Sequence, residues 1–355
     1  ALNEILRRHG ILRATFMSVD GKPSQVISPE QSLALKAVEV SEDEAIRICN
    51  EKALMSFDLS IGPLFRIHLF QTKSEEYILL VVMHHIVSDG WSIEVLFKEL
   101  TTLCTAFFEG KSSPLAELPI QYSDFAVWQR EWLKGELLEK QLNYWKERLK
   151  GIPALLELPT DRPRLPVQTY NGSTEIFEID QELTERLKSL SLERRVSLFM
   201  TLHATFSLLL SRYSGQNDIV VGVPIANRNY KQIEPLIGFF VNTLVLRTDL
   251  SGGQHFNELL ERIRMVTLES YAHQDIPFEL LVEELHPERD MSYSPMFQVM
   301  FSFQNTSFIH GDEPGFSGLN EGAIELKNTK AKFDLSLFIE EANQGIVGAF
   351  EYNTD

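Results

Sequence analysis

The stretch VVMHHIVSDGWS, Val81 to Ser92, sits where the period of the sequence changes. Before it, YILLVVMHH (Tyr77–His85) is a nearly continuous apolar run, the pattern of a central strand covered on both faces. After it, Ile93, Leu96, Phe97, Leu100, Leu103, Cys104 and Phe107 recur at steps of three and four, which predicts an amphipathic helix. Ser88, Asp89 and Ser92 are cap-type residues at its start. His84 and His85 therefore fall at a strand end, and Asp89-Gly90 turns the chain into a helix.

The same alternation of strands and helices runs outward in both directions. LNEILRR reads as a helix stopped near Gly10, and ILRATFMSV (Ile11–Val19) as a strand. A long helical stretch is predicted from about Tyr122 to Lys150, closed by Gly151 and Pro153. Pro159, Pro163 and Pro166 then rule out a helix, so 159–172 reads as a connector between an N-terminal lobe, 1–158, and a C-terminal lobe, 173–355. The second lobe predicts a strand at STEIFEID, a helix from Gln181, an apolar helix at SLFMTLHATFSLLLSRYSG, and strands at DIVVGVPIA and VNTLVLRTDL. A helix follows from His255 to about His273, then strands at MFQVMFSFQN and AIELKN. A hairpin turning near Asn343-Gln344-Gly345 ends the chain. Two α/β lobes of comparable size are expected. Both ends read as cut, the first inside a helix and the last just after a strand.

Bulk properties narrow the function. The chain has 355 residues, 44% of them apolar, and a formal net charge of -17. It repels nucleic-acid phosphates and anionic membranes, and the arginine pairs at 7–8 and 194–195 are too isolated to form a binding stripe. No apolar run is long enough to span a bilayer. Cys49 and Cys104 are two unrelated thiols, which fits a reducing, cytoplasmic setting. The glycosylation-type triplets at Asn171 and Asn305 are read as chance.

The histidine stretch has three chemical readings. Adjacent residues on a strand point to opposite faces, so His84 and His85 cannot share one metal ion there, and no HExxH-type pattern lies nearby. An imidazole at a strand end beside a helix N-terminus suits proton transfer during acyl transfer. Read as residues alone, the stretch is equally two satisfied core histidines with Asp89 as a plain N-cap.

The wider sequence extends the motif. MHHIVSDGWS resembles the HHxxxDG motif of condensation domains of nonribosomal peptide synthetases. RRHGILRATF (Arg7–Phe16), YSDFAVWQREW (Tyr122–Trp132), LPTDRPR, IGFFVNTLVLR (Ile237–Arg247), HQDIPFE (His273–Glu279) and RDMSYSPMFQVMF (Arg289–Phe301) resemble further elements of that family, in the same order. LRAT at Ala14 and the glycine at position 10 depart from it, and the family's opening motif and closing helix are missing. The resemblance implies two chloramphenicol-acetyltransferase-like lobes in a V-shaped pseudo-dimer, each a mixed sheet flanked by helices, with a tunnel between them.

It also implies an acyltransferase that forms an amide between a donor acyl or peptidyl thioester and an acceptor aminoacyl amine. Both ride on phosphopantetheine arms of peptidyl carrier domains, with an adenylation domain adjacent in the same polypeptide and no cofactor or metal of the domain's own. By motif position, His85 acts on the acceptor amine, Gly90 lets the backbone approach the thioester, and Asp89 is a buried partner of Arg13. His84 is structural. Trp128, Asn242 and His273 are candidates for the substrate channel, although Trp128 also reads as a core aromatic and Asn242 as a strand-end turn residue. The DGWS continuation and the RDMSYSPMFQVMF stretch resemble domains that join two L-residues. A coenzyme A-dependent acyltransferase, which shares HxxxDG, and an inactive spacer between carriers are the rivals.

Overall fold

The computed structural model describes residues 1–29, 32–252, 255–287, 290–304, 324, 329–342 and 344–355. The strand expected over 323–328 (apart from Ile324), the triplet at 305–307, Arg289 and the turn residue Asn343 lie outside them.

Close contacts divide the chain into two units. The first comprises Ala1–Trp132 together with Arg228–Val241. Its helices are α1 (Leu2–Arg8), α2 (Glu42–Ala53), α3 (Gly90–Phe108) and α4 (Tyr122–Trp132). Its strands are β1 (Ala14–Val19), β2 (Lys22–Ile27), β3 (Ala37–Glu39), β4 (Phe65–Lys73) and β5 (Glu76–Met83). β1 and β2 form an antiparallel ribbon; β3 runs parallel to β4, and β4 antiparallel to β5.

Strand β5 explains the apolar run. Ile78, Leu80 and Val82 pack with Ala45 and Cys49 of α2, while the alternate residues Leu79, Val81 and Met83 pack into the cluster of α1 and α3. Both faces are covered, which is why no polar alternation shows. Among the described residues the strand pairs with β4 alone. Residues 11–13, expected to begin a strand, instead belong to a 3-10 turn over Gly10–Arg13, in which the Arg13 side chain folds back onto the carbonyls of Leu6 and Ser28.

The second unit comprises Leu133–Asn227 and, among the described residues, those between 242 and 304 and from 329 onward. It begins with α5 (Glu136–Arg148), β6 (Gly172–Asp180), α6 (Gln181–Arg194), α7 (Leu198–Ser214), β7 (Asp218–Ile225) and β8 (Asn242–Asp249). It ends with α8 (Phe256–Tyr271), α9 (Phe278–Leu285), β9 (Val299–Gln304), β10 (Leu335–Ala342) and β11 (Gly345–Asn353). Six strands form one mixed sheet in the order β6-β11-β10-β9-β7-β8.

The boundary expected at residue 158 falls elsewhere. The helix predicted over 122–150 breaks at Gly135, whose φ of 58° favours glycine, and α5 joins the second unit by burying Leu142 and Trp145 in its core. The proline-rich stretch 159–172 also belongs to that unit, where Arg164 pairs with Asp334. Residues 228–241, assigned from sequence to the second lobe, pack in the first.

The second core is tight at Gly222. A Cβ there would sit 2.2 Å from the buried ring of Phe297. Gly222→Ala is expected to cost about 1–3 kcal/mol by overpacking; an unchanged urea midpoint would show that the ring gives way freely.

Candidate active site

β5 ends at Met83, and the chain makes one 3-10 turn, His85–Val87, before α3 begins at Gly90. The turn separates the two histidines. His84 Nδ1 accepts the backbone N–H of Ile86 at 3.0 Å, so its ring proton sits on Nε2. Its ring lies edge-on to Phe57, with centroids 5.9 Å apart. Burial, and then the neighbouring His85, lower its pKa. His84 is thereby kept neutral at neutral pH.

His85 is exposed, and its Nδ1 lies 2.6 Å from the carbonyl oxygen of Ser88. A carbonyl only accepts, so Nδ1 carries the proton and Nε2 of the neutral ring keeps its lone pair. The ring stands at 85° to Phe239, with centroids 5.1 Å apart. Backbone and aromatic neighbour together fix both tautomer and orientation.

Asp89 works differently. Its Oδ1 caps α3, accepting Ser92 N–H at 2.8 Å, lies 2.6 Å from Ser92 Oγ, and accepts Arg228 Nη2 at 3.0 Å. Its Oδ2 accepts Phe240 N–H at 3.0 Å. Both side chains of the Asp89–Arg228 pair are almost wholly buried, at 3% and 1% exposure. Arg228 Nη1 donates to the carbonyls of Ile233 and Leu236, each at 2.7 Å, and its guanidinium lies 4.1 Å from the Phe240 ring centroid. The pairing expected with Arg13 is therefore corrected. Arg13 is committed to Leu6 and Ser28, and the partner arrives from 139 residues away on the 228–241 segment.

That segment is fastened along its length. Gly238 N–H donates to Ser92 Oγ at 3.0 Å, and Trp91 Nε1 donates to Glu234 O at 2.9 Å. Tyr122 OH donates to Phe239 O at 2.9 Å. Burial, and then the charge of Asp89, push the Tyr122 phenol up to about 12, so it stays a donor. These bonds deliver Phe239 to the face of His85.

Known proteins place this geometry in a family. A family model described as "Condensation domain" matches residues 1–355. The chain belongs to the condensation-domain family. It is 50% identical over 360 residues to a linear gramicidin synthase protein of Brevibacillus parabrevis, covering 99% of this chain and 7% of that protein. It is 45% identical to malpinin synthetase of Mortierella alpina, covering 100% and 5%. The chain thus spans only a small part of these curated relatives. Among solved structures it resembles the X-domain in the complex of X-domain and OxyB from teicoplanin biosynthesis, with a TM-score of 0.89 and 27% identity over 98% of this chain and 78% of that one. It also resembles holo-AB3403, a four-domain nonribosomal peptide synthetase, with a TM-score of 0.86 and 22% identity over 100% and 28%, which supports the fold.

The remaining candidates of this condensation domain fall in other places. Trp128 on α4 is 38% exposed, stacked on Trp132 with centroids 5.0 Å apart and edge-on to Tyr230. Asn242 and His273 lie in the second unit, where both make hydrogen bonds to loop and helix backbone. Asn242 Nδ2 donates to Gln274 O and Ile276 O, and Oδ1 accepts from Thr243 and Phe278 N–H, so its amide has no capacity left for substrate. His273 stacks on Tyr144 with centroids 3.9 Å apart and bonds Glu269 O through Nδ1. Among the described residues no cluster of three or more His, Cys, Asp or Glu is placed to hold a metal.

Sequence reasoning missed Arg228, Phe239, Tyr122 and Ser92 as parts of the site. It also missed Glu99, which lies on the buried face of α3 because Arg8 and His9 meet it. Arg8 donates to Oε1 at 2.9 Å and to Oε2 at 3.2 Å, and His9 Nε2 lies 3.0 Å from Oε2. His9 Nδ1 accepts Ile237 N–H at 3.3 Å, so this network also holds the segment bearing Phe239. Burial raises the Glu99 pKa, but the hydrogen bonds from His9 and Arg8 outweigh it and leave it below 4.5. A depressed folded value stabilises above the unfolded pKa and is lost as pH falls through the folded one. Glu99→Gln is expected to cost about 1.5–3 kcal/mol at neutral pH, and the deficit against wild type should shrink as pH falls below the carboxylate range. A deficit independent of pH in denaturant titrations would contradict this account.

Proposed function

We propose that this condensation domain forms an amide between a donor acyl or peptidyl thioester and the amine of an acceptor aminoacyl thioester. Both substrates would arrive on the phosphopantetheine arms of carrier domains, with an adenylation domain adjacent in the same cytoplasmic polypeptide. The observation that carries this reading is the fixed Nδ1–H of His85 on Ser88 O, which leaves an exposed Nε2 to receive a proton. The acceptor nitrogen attacks the donor carbonyl carbon, and His85 Nε2 orients the amine and takes its proton. The carbon–sulfur bond then breaks, and the donor arm leaves as a thiol with the proton returned. Asp89 takes no part in this transfer, since its oxygens are occupied by Arg228, Ser92 and Phe240. Gly90, first in α3, adds no side chain where the thioester approaches. The subtype joining two L-residues rests on the DGWS continuation and the RDMSYSPMFQVMF stretch.

The test mixes the protein with two carrier domains, one loaded as donor and one as acceptor, and follows the acceptor by intact mass. Transfer of the donor mass to the acceptor carrier, only when both carriers are loaded, is expected. Turnover of a soluble acyl-CoA with a free amine and no carriers would favour the coenzyme A reading. No transfer at all would favour a spacer.

A further inference from the structure

The stretch RRHG, Arg7–Gly10, carries no group that the proposed chemistry uses. His9 stands between α1 and the 3-10 turn, at 1% exposure, so no substrate meets its ring. Both ring nitrogens are nonetheless engaged. Nδ1 accepts Ile237 N–H at 3.3 Å, so the ring proton sits on Nε2, 3.0 Å from Glu99 Oε2. Arg8 grips the same carboxylate at both oxygens. A carboxylate accepts and does not donate, so Glu99 selects the tautomer in which Nδ1 is an acceptor.

Ile237 needs that acceptor. Residues 237–240 lie in neither helix nor strand, and Ile237, Gly238 and Phe240 are buried, so no regular ladder satisfies their backbone. Side chains supply the partners one residue at a time: His9 for Ile237, Ser92 for Gly238, Tyr122 for Phe239 and Asp89 for Phe240.

Gly238 leaves little slack between the two ends of this run. A Cβ there would stand 2.2 Å from the Tyr122 ring, and Ser92 Oγ lies 3.0 Å from its nitrogen and 2.8 Å from its oxygen. With Gly238 clamped in this way, a shift at Ile237 is passed on to Phe239 rather than absorbed. Phe239 is the residue whose ring stands edge-on to His85.

We infer that His9 is a positioning residue for the reaction: its Nδ1, kept an acceptor by Glu99, places Ile237 and through it sets Phe239 against His85. The inference rests on the function proposed above. Two amides divide the roles of the His9 ring. His9→Asn sets an oxygen where Nδ1 stands and gives up Glu99. His9→Gln reaches Glu99 with its N–H and leaves Ile237 without an acceptor. Each leaves a buried group short of a partner, so both are expected to melt below wild type. Amide formation between saturating loaded carriers, at a temperature where both are folded, separates them. His9→Gln is expected to lose about tenfold in rate and His9→Asn about threefold or less. In a Phe239→Ala background the two should run within about twofold of each other, because the relaying ring is gone. A second readout needs no reaction. The ring-proton NMR shifts of His85, set in part by the Phe239 ring beside it, should hold in His9→Asn and move in His9→Gln. If His9→Gln fails to fold, His9→Asn decides: rate and ring shifts kept despite a lower melt support the inference, and a loss of about tenfold overturns it. Equal losses in the two variants, or wild-type rate and ring shifts in His9→Gln, also overturn it and leave the amide chemistry standing. No amide from wild type overturns the function, and the ring shifts then still decide whether His9 positions His85.

Discussion

Asp89→Ala is expected to destabilise the first unit by about 3–5 kcal/mol, as found when one partner of a buried ion pair is removed. The cost has two sources. Arg228 would keep its charge at 1% exposure with neutral carbonyls and Ser92 as its remaining hydrogen-bond partners and without the carboxylate paired to it. Phe240 N–H and the capped Ser92 N–H would lose their acceptor. Burial already pulls the Arg228 pKa down, and the charge of Asp89 is the main influence pushing back. Asp89→Asn gives little relief, because its NH2 would face a second donor at either oxygen position. Arg228→Ala should cost a similar amount, but the double variant clearly less than the sum, since it leaves no unpaired charge. Urea denaturation of the four proteins measures this coupling. Faster hydrogen exchange at the Phe240 amide in Asp89→Ala would locate the loosening in the 228–241 segment. Additive costs, or an unchanged Phe240 exchange rate, would mean that the segment is held by other means.

This pair also marks how far the sequence could be read. Local periodicity identifies α3, α7, α8 and the β10–β11 hairpin, because each follows from neighbouring residues facing one core. The cap role of Asp89 is legible for the same reason: its acceptor geometry involves Ser92, three residues on. The partner of Asp89 is not legible. Nothing in the spacing of ANRNY signals that Arg228 crosses from the second half of the chain to the first unit, so the nearest plausible arginine, Arg13, took its place. Glu99 was hidden similarly. A charged residue on the apolar stripe of α3 makes sense only once Arg8 and His9 are seen beside it. Likewise, Asn242 sits in a motif that suggests chemistry, and only its hydrogen bonds to Gln274, Ile276 and Phe278 reveal that it ties a loop. The division of units depended on Gly135, a single residue whose positive φ splits what the apolar pattern presents as one helix.

His85→Ala is expected to behave in the opposite way to Asp89→Ala: a large loss of rate with little loss of stability. The ring is exposed and its one hydrogen bond, to Ser88 O, is local, so removing it leaves no buried group unsatisfied. Melting temperature should be nearly unchanged. The rate of amide formation between loaded carriers should fall by about 10²–10⁴, the usual contribution of a positioned acid or base. His85→Asn separates two parts of that role. Its amide retains a short polar group directed at the same turn but has no basic nitrogen to accept a proton. If proton acceptance at Nε2 carries the effect, asparagine will be about as slow as alanine. If orientation of the amine dominates, asparagine will recover a substantial part of the rate. Phe239→Ala leaves Nε2 in place and frees the ring on its aromatic side, so a smaller loss is expected, in the rate and not in the melt. A His85→Ala protein that couples loaded carriers within about twofold of wild type, under conditions where chemistry and not carrier docking limits the rate, would remove the imidazole from the reaction. The clasp of Asp89 and Arg228 would then be an architectural feature of the fold, with no reacting ring to position.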